Sequence, residues 1–313
     1  MRVAAGEKFA AKHGAAADQI APDLKWVTMD DQHRWSSDPA SCELAIYASQ
    51  TYNDTFIEAL VDMHNLRWGH SEDAGTDGRF VDSLSARGVT LTHSPGTNAP
   101  EVAEMALGFL LWSAKRLDDL RNQQAARHWN RIALHALSDQ HALVVGLGAI
   151  GGRIVELCRA FGMTVSGIRA SSEPVPRLHR QGTLADLSAM AAAADYVILA
   201  VPITESTAGI VDPPLLATMK ESSVLINVGR GGLVDSTALH SALTKGTIRG
   251  ACLDVVHSEP LPAADPLWEA PNLLITPHCA SETPLYMMRV GEVWLDNLRR
   301  YRSGETMRNL VSR

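Results

Sequence analysis

The sequence predicts an α/β protein of two β-α-β domains, each a parallel sheet with helices on its faces. Three observations lead there. Short apolar runs alternate with helix-like segments along the chain, which is the pattern of parallel strands joined by crossover helices. One run leads straight into a Gly-x-Gly-x-x-Gly turn at 146–151. Four later runs end in residues that would gather at one edge of the sheet, where such folds bind ligands.

Composition sets the outer bounds. The 313 residues are enough for two domains, and 46% hydrophobic with 20% charged residues is an ordinary globular balance. It excludes disordered, collagen-like and coiled-coil chains. The net charge of −7 leaves no basic excess, so neither nucleic acid nor an anionic membrane is an expected partner. Met1–Lys8 has one early basic residue and no apolar core after it, unlike a secretory signal. No apolar stretch reaches the roughly 20 residues of a membrane span. Cys42, Cys158, Cys252 and Cys279 are scattered without a Cys-x-x-Cys pair. They read as reduced thiols of a cytoplasmic protein, with no metal site.

In the first hundred residues, strands are expected at Lys25–Met29, Leu44–Ala48, Leu66–Trp68 and Thr90–Thr92. Helices are expected at Asp54–Met63 and Asp77–Arg87, the second stopped by Gly88. One long helix is then expected from Ala99 to Leu120. Pro100 opens it, Glu101 and Glu104 occupy its first turns, and Lys115 and Arg116 lie towards its end, an order that suits the helix dipole. Its apolar stretch Met105–Trp112 implies burial between two layers. A polar stretch, Asp118–Asn130, follows.

The most specific local feature comes next. A strand, His141–Val145, runs into Gly146-Leu147-Gly148-Ala149-Ile150-Gly151, followed by a helix at Gly152–Phe161 and a strand at Met163–Ile168. Gly146 permits the tight turn, Gly148 lets backbone approach a pyrophosphate, and Gly151 lets helix and strand pack closely. The helix start, with Ala149 and Ile150, offers N–H groups to phosphate. A dinucleotide cofactor is therefore expected. At the end of the second strand an acidic residue would bind the ribose 2′-hydroxyl, but Arg169, Ser171 and Ser172 stand there. A guanidinium suits a 2′-phosphate that a carboxylate would repel, so NADP is favoured. NAD stays possible because Glu173 is near enough to reach back.

Further strands are expected at Ala194–Val201, Val224–Gly229, Gly250–Val256 and Asn272–Thr276. Their end residues Val201, Pro202, Val228 and Gly229 are assigned to the cofactor. Arg230, Glu259 and His278 follow three of these strands. Singly, each has an ordinary explanation: a solvated arginine, a turn glutamate before Pro260, a structural histidine. Together at the strand ends of one nucleotide-binding sheet they form a candidate catalytic set.

These motifs bring a family into view. Gly146-x-Gly148-x-x-Gly151, Asn227-Val-Gly-Arg230-Gly, Asp254-Val-Val-His-Ser-Glu259-Pro260 and Thr276-Pro-His278 resemble those of the D-isomer-specific 2-hydroxyacid dehydrogenases, which include glyoxylate and hydroxypyruvate reductases. Asp73–Asp77 and Pro95–Glu104 match as well, so the resemblance covers about residues 66–310. It implies a Rossmann-type cofactor domain at 101–281 inside a discontinuous, flavodoxin-like substrate domain, 1–100 plus 282–313. The active site would lie in the cleft between them. It implies that His278 protonates the carbonyl oxygen in reduction, that Glu259 fixes the histidine tautomer and raises its pKa, and that Arg230 binds the substrate carboxylate. The backbone of Ala74, Gly75 and Thr76 would hold the carboxylate's other side, and Asp254 would contact the nicotinamide carboxamide.

The resemblance further implies a homodimer, with Asp118–Asn130 as an arm towards the partner, and the reduction of a small 2-keto acid to its D-hydroxy acid. Two alternatives stay open. One is another enzyme on the same scaffold, resembling D-3-phosphoglycerate dehydrogenase or a formate dehydrogenase. Glu259 speaks against formate oxidation, and a chain closing soon after its last helix leaves no regulatory domain expected. The other is an NAD(P)-sensing binding protein resembling the C-terminal-binding corepressors. Cys279 is expected to line the pocket, and His257 to shape it or face solvent. Core packing is expected for Trp68, Trp129 and Trp294.

Overall fold

The chain opens with a strand that its composition conceals. In a computed structural model, which describes residues 1–47, 54–72, 81–171 and 173–311, β1 (Arg2–Gly6) buries Val3, Ala4 and Ala5 completely. Alanine has little preference for strands, but a position covered on both faces overrides that preference. Contacts divide the chain into two compact units, Met1–Asn98 with Thr283–Arg313, and Ala99–Glu282.

In the first unit, α1 (Glu7–Ile20), β2 (Lys25–Met29), β3 (Leu44–Tyr47), α2 (Asp54–Asp62), β4 (Trp68–Ser71), α3 (Val81–Ala86) and β5 (Thr90–Thr92) follow in turn. The five strands pair in parallel in the order β2-β1-β3-β4-β5, the flavodoxin-like order. The strand expected at Leu66–Trp68 instead begins at Trp68, because Trp68, Gly69, His70 and Ser71 are the buried residues in register with β3. The Trp68 indole N–H donates to Thr92 Oγ1 at 2.8 Å, and His70 is sealed between Thr92 Oγ1 and Ser94 Oγ at 2.7 and 3.0 Å. Burial, aided by His93, lowers the His70 pKa to about 3, so the ring is neutral.

The second unit begins with α4 (Ala99–Ala114), and the long helix expected to reach Leu120 breaks here. Arg116 adopts the left-handed conformation at φ +48°, and α5 (Leu117–Ala125) starts afresh. The break is held from a distance: His135 N–H caps the Ala114 carbonyl at 3.0 Å and Lys115 Nζ donates to His135 O at 2.7 Å. Nor is α4 buried all round. Val102, Ala106, Phe109 and Leu110 face the core, whereas Met105, Leu107, Leu111 and Trp112 are half-buried.

Then come β6 (His141–Val145), α6 (Ala149–Ala160), β7 (Thr164–Ile168), β8 (Arg180–Gly182), α7 (Leu187–Ala191), β9 (Tyr196–Leu199), α8 (Pro213–Thr218), β10 (Val224–Asn227), α9 (Ser236–Thr244), β11 (Gly250–Leu253) and β12 (Leu273–Ile275). All seven strands are parallel, in the order β12-β11-β10-β9-β6-β7-β8. This is a doubly wound, Rossmann-type sheet whose order reverses between β6 and β9. Side chains alternate between two cores. Leu143, Val145, Val197, Leu199 and Leu225 enter one, while Ala142, Val144, Ile198 and Ile226 enter the other.

The chain then returns to the first unit as α10 (Pro284–Ser303), capped by Thr283 Oγ1 accepting from Tyr286 N–H. It buries Val290, Trp294 and Leu298, one turn apart. Trp294 and Trp68 stack inside this core with centroids 6.2 Å apart. Core packing therefore describes Trp68 and Trp294 but not Trp129, whose ring is 98% exposed. Trp129 lies in the irregular segment after α5, which has no core to enter. Among the described residues no helix is long and apolar enough to cross a membrane.

Candidate active site

Strand register decides which residues can meet. Leu199, Asn227, Leu253 and Ile275 are paired across β9, β10, β11 and β12. The residues that follow each of them therefore leave the sheet at one edge. Val201-Pro202, Gly229-Arg230, Asp254 and Thr276–His278 all begin there.

The glycine loop occupies the same edge, between β6 and α6. Gly146 has φ +98°, and a Cβ there would stand 2.5 Å from Ala200 O. A Cβ at Gly151 would stand 1.7 Å from Gly146 O, so helix and turn touch as only glycine allows. At Gly148 a Cβ would meet nothing within 4 Å. The backbone is open on that side, as close approach by a pyrophosphate requires. The helix starts at Ala149, three residues earlier than its sequence suggested, with no side-chain cap and no acid in its first turn. These features fit a dinucleotide, whose phosphates the N-terminus of α6 would face.

At the end of β7, Arg169 N–H donates to Gly182 O at 3.1 Å, and its Nη1 lies 3.4 Å from Glu173 O. Glu173 N–H donates to Ser171 Oγ at 3.1 Å. The guanidinium thus meets the Glu173 backbone carbonyl at the long end of hydrogen-bond range. Ser172 lies outside the described residues, as do Ala74, Gly75 and Thr76.

Arg230 is shaped by its neighbour in the motif. Asn227 is fully buried; its Oδ1 accepts from Gly229 N–H at 3.0 Å and its Nδ2 donates to Arg230 O at 2.9 Å. The turn this makes aims the chain out of the sheet, and Arg230 Nη1 donates to Gly229 O at 2.9 Å. Val228 and Gly229 are buried beside Val201, with a Cβ at Gly229 only 2.8 Å from Val201 O.

His278 sits in the left-handed region at φ +50°, an uncommon conformation outside glycine that costs about 1 kcal/mol or more. Asp254 holds it there. Its backbone carbonyl accepts from His278 N–H at 2.8 Å. Its carboxylate, 3% exposed, accepts from the Thr276 hydroxyl, from Cys279 N–H at 3.1 Å and from Ala280 N–H at 3.2 Å. Sequence reading missed this bracing role, as it missed that of Asn227. The Asn-x-x-Arg spacing, typical of a side chain closing a turn on its own backbone, was the one signal available. Cys279 is half-buried, and burial pushes its thiol pKa up.

Glu259 meets His278 across the edge, with Nδ1 and Oε2 2.7 Å apart, and its Oε1 accepts from Val256 N–H at 3.1 Å. The hydrogen bond to Glu259 raises the His278 pKa above the ordinary histidine value against the opposing effect of burial. The charges of Glu259 and Asp254 add to the rise, and Arg230 works against it. For Glu259, partial burial opposes ionisation. The His278 hydrogen bond and charge, the Val256 N–H and Arg230 outweigh that and hold its pKa below the usual range. Half of the His278 side chain is exposed.

Burial raises the Glu282 pKa, with His278 opposing. Among the described residues no cluster of three metal-ligating side chains occurs.

Replacing Glu259 by Gln removes the charge while keeping the shape. The His278 pKa, followed by imidazole NMR across pH, is expected to fall in Glu259→Gln. An unchanged midpoint would mean that the carboxylate does not set it.

The comparisons agree on one family. A family model described as D-isomer specific 2-hydroxyacid dehydrogenase, NAD binding domain, matches residues 107–280. A glyoxylate/hydroxypyruvate reductase B from Pectobacterium carotovorum is 34% identical over 255 residues, 79% of this chain and 79% of that one. A D-3-phosphoglycerate dehydrogenase from Mycobacterium tuberculosis is 29% identical over 95% of this chain, which spans 56% of that protein. The crystal structure of a D-isomer specific 2-hydroxyacid dehydrogenase family protein from Aeromonas salmonicida superposes with a TM-score of 0.87 at 27% identity, covering 99% of this chain and 98% of that one.

Proposed function

The chain belongs to the D-isomer specific 2-hydroxyacid dehydrogenase family, and from that premise we propose that it reduces a small 2-keto acid, of the glyoxylate or hydroxypyruvate kind, to the D-2-hydroxy acid with NADPH. The observation that carries this reading is the 2.7 Å contact between His278 and Glu259, on the sheet edge from which Arg230 also projects. When bound, the nicotinamide dinucleotide supplies the hydride.

The chain's own residues do the rest. Gly146, Gly148, Ala149, Ile150 and Gly151 would hold the pyrophosphate, with Val201, Pro202, Val228 and Gly229 beside the nicotinamide half and Asp254 near its carboxamide. Arg230 binds the keto acid's carboxylate, and its charge stabilises negative charge developing on the carbonyl oxygen. Ala74, Gly75 and Thr76 would offer backbone N–H groups to the same carboxylate. His278, with Nδ1 bound to Glu259, gives the proton on Nε2 to that oxygen.

The sign of the pH dependence follows. Reduction needs protonated His278, so its rate is full below the raised pKa and falls as pH rises through it. Oxidation needs the neutral ring and rises over the same interval. His278→Ala is expected to lower kcat about a hundred-fold or more, the usual loss of a general acid. Turnover above half of wild type would remove His278 from the reaction. Arg230→Lys loses the planar two-donor clamp, and steady-state kinetics should show both KM and kcat impaired.

NADPH is proposed over NADH because Arg169, with Ser171 and Ser172, replaces the acidic ribose binder. One charge-assisted hydrogen bond to the 2′-phosphate corresponds to a preference of about ten- to a hundred-fold. Arg169→Asp should reverse it, read as kcat/KM for both cofactors in both proteins. Equal use of the two by wild type would place Arg169 in solvent. Run with glyoxylate, hydroxypyruvate and 3-phosphohydroxypyruvate, the same initial-rate screen tests the substrate class. Absence of turnover with every keto acid would favour a nucleotide-sensing binding protein.

We also propose a cytoplasmic homodimer without nucleic acid or membrane partners. After α5 the chain has no regular structure as far as Ala136 and is largely exposed, and it carries Trp129, 98% exposed, and Leu134, 46% exposed. Apolar side chains this bare suit burial by a second copy. Light scattering should give a particle of about twice 33.8 kDa, and Trp129→Ser should shift it towards the monomer.

A further inference from the structure

The reduction proposed above needs Arg230 and Glu259 at a fixed separation, yet they stand on different loops, one after β10 and one after β11. We propose that Gly231 and His257 are positioning residues that lock these two loops into one body, an inference that rests on the reductase reading for its catalytic meaning.

The first support is a backbone contact. A Cβ on Gly231 would lie 1.9 Å from Val256 O and 2.6 Å from His257 N. The Arg230 loop therefore runs against the Glu259 loop main chain to main chain, nearer than any side chain permits. Val256 is also the residue whose N–H binds Glu259 Oε1 at 3.1 Å. The contact thus lies one hydrogen bond from the carboxylate it would position.

The second is the His257 ring. Its Nδ1 lies 2.8 Å from Ser236 Oγ, and Ser236 begins α9 directly after the Arg230 loop. Its Nε2 lies 3.6 Å from Asp265 Oδ2, and Asp265 caps the 266–269 turn by accepting from Leu267 N–H at 2.9 Å. Trp268 Nε1 donates to Pro262 O at 2.9 Å and closes the far side of the loop. The two ends of α9's first turn and of the Glu259 loop are thereby tied through one imidazole. Asp235 fixes the helix side, accepting from Ala238 N–H at 2.9 Å. His257 is exposed, so its replacement leaves folding intact.

The readout that separates positioning from mere structure is the His278 pKa in the full chain without cofactor, where Glu259 is the principal influence raising it. With Glu259 loosened, His257→Leu and Ser236→Ala are expected to lower that pKa by imidazole NMR, while Ser236→Thr, which keeps a hydroxyl, should hold it at the wild-type value. Gly231→Ala should raise KM for the keto acid about ten-fold, with the NADPH Kd from fluorescence titration unchanged. Wild-type pKa values in both His257→Leu and Ser236→Ala would overturn the proposal. Equal falls in Ser236→Ala and Ser236→Thr would do so too, since they would trace the effect to the helix start and not to the hydroxyl. The titration needs no substrate. A lowered pKa in a protein that reduces no keto acid would leave the coupling standing and the reductase reading refuted.

Discussion

A single buried carboxylate governs the geometry of the site. Asp254 directly follows β11 and receives three donors from the loop after β12, the Thr276 hydroxyl and the N–H groups of Cys279 and Ala280. Those bonds, with the His278 N–H on the Asp254 carbonyl, hold His278 at a backbone angle it would not adopt alone. A carboxylate this enclosed is tolerable because its lone pairs are satisfied; with the donors removed it would be a buried charge costing about 3 kcal/mol or more. The constraint works both ways. The loop cannot relax without stranding the charge, and the charge cannot leave without releasing the loop.

On this support the electrostatics are arranged by distance. Glu259 touches His278 and raises its pKa, whereas the charge of Arg230 lowers the pKa of each. A carboxylate flanked by an arginine and an imidazole stays ionised, so it can hold a proton on the histidine without taking it. The turn that presents the arginine is set by Asn227 from within the sheet. The arrangement gathers an arginine, a carboxylate and an imidazole of raised pKa at one sheet edge.

How much of this was legible follows from where the information resides. The glycine loop, six of the seven strands of its sheet and the strand-end positions of Arg230, Glu259 and His278 were legible because each depends on local pattern: an apolar run, its end, and the residues after it; the short edge strand Arg180–Gly182 was not. The bracing by Asp254 was not, since its partners lie 22 to 26 residues away in sequence. β1 escaped notice because Ala4 and Ala5 carry no strand preference, and only their burial among neighbouring strands makes them one. The break at Arg116 depends on His135, brought back to the helix end by the intervening chain. Trp129 defeats the rule that large apolar residues go inside, because almost every residue between α5 and Leu137 lies at the surface.

Beside these side-chain bonds, the sheet edge rests on close contacts between backbones. Gly151 lies against Gly146, Gly229 against Val201, and Gly231 against Val256, each at a separation that would bring a Cβ too close to a carbonyl oxygen. Side chains swing between rotamers, but main chain braced on main chain has few ways to move. A site built this way fixes where Arg230, Glu259 and the phosphate cradle stand before any ligand arrives. Preorganised charge is worth more than charge that must be assembled at the moment of reaction. The glycines are thus as much a part of the chemistry as the ionisable residues they hold in place.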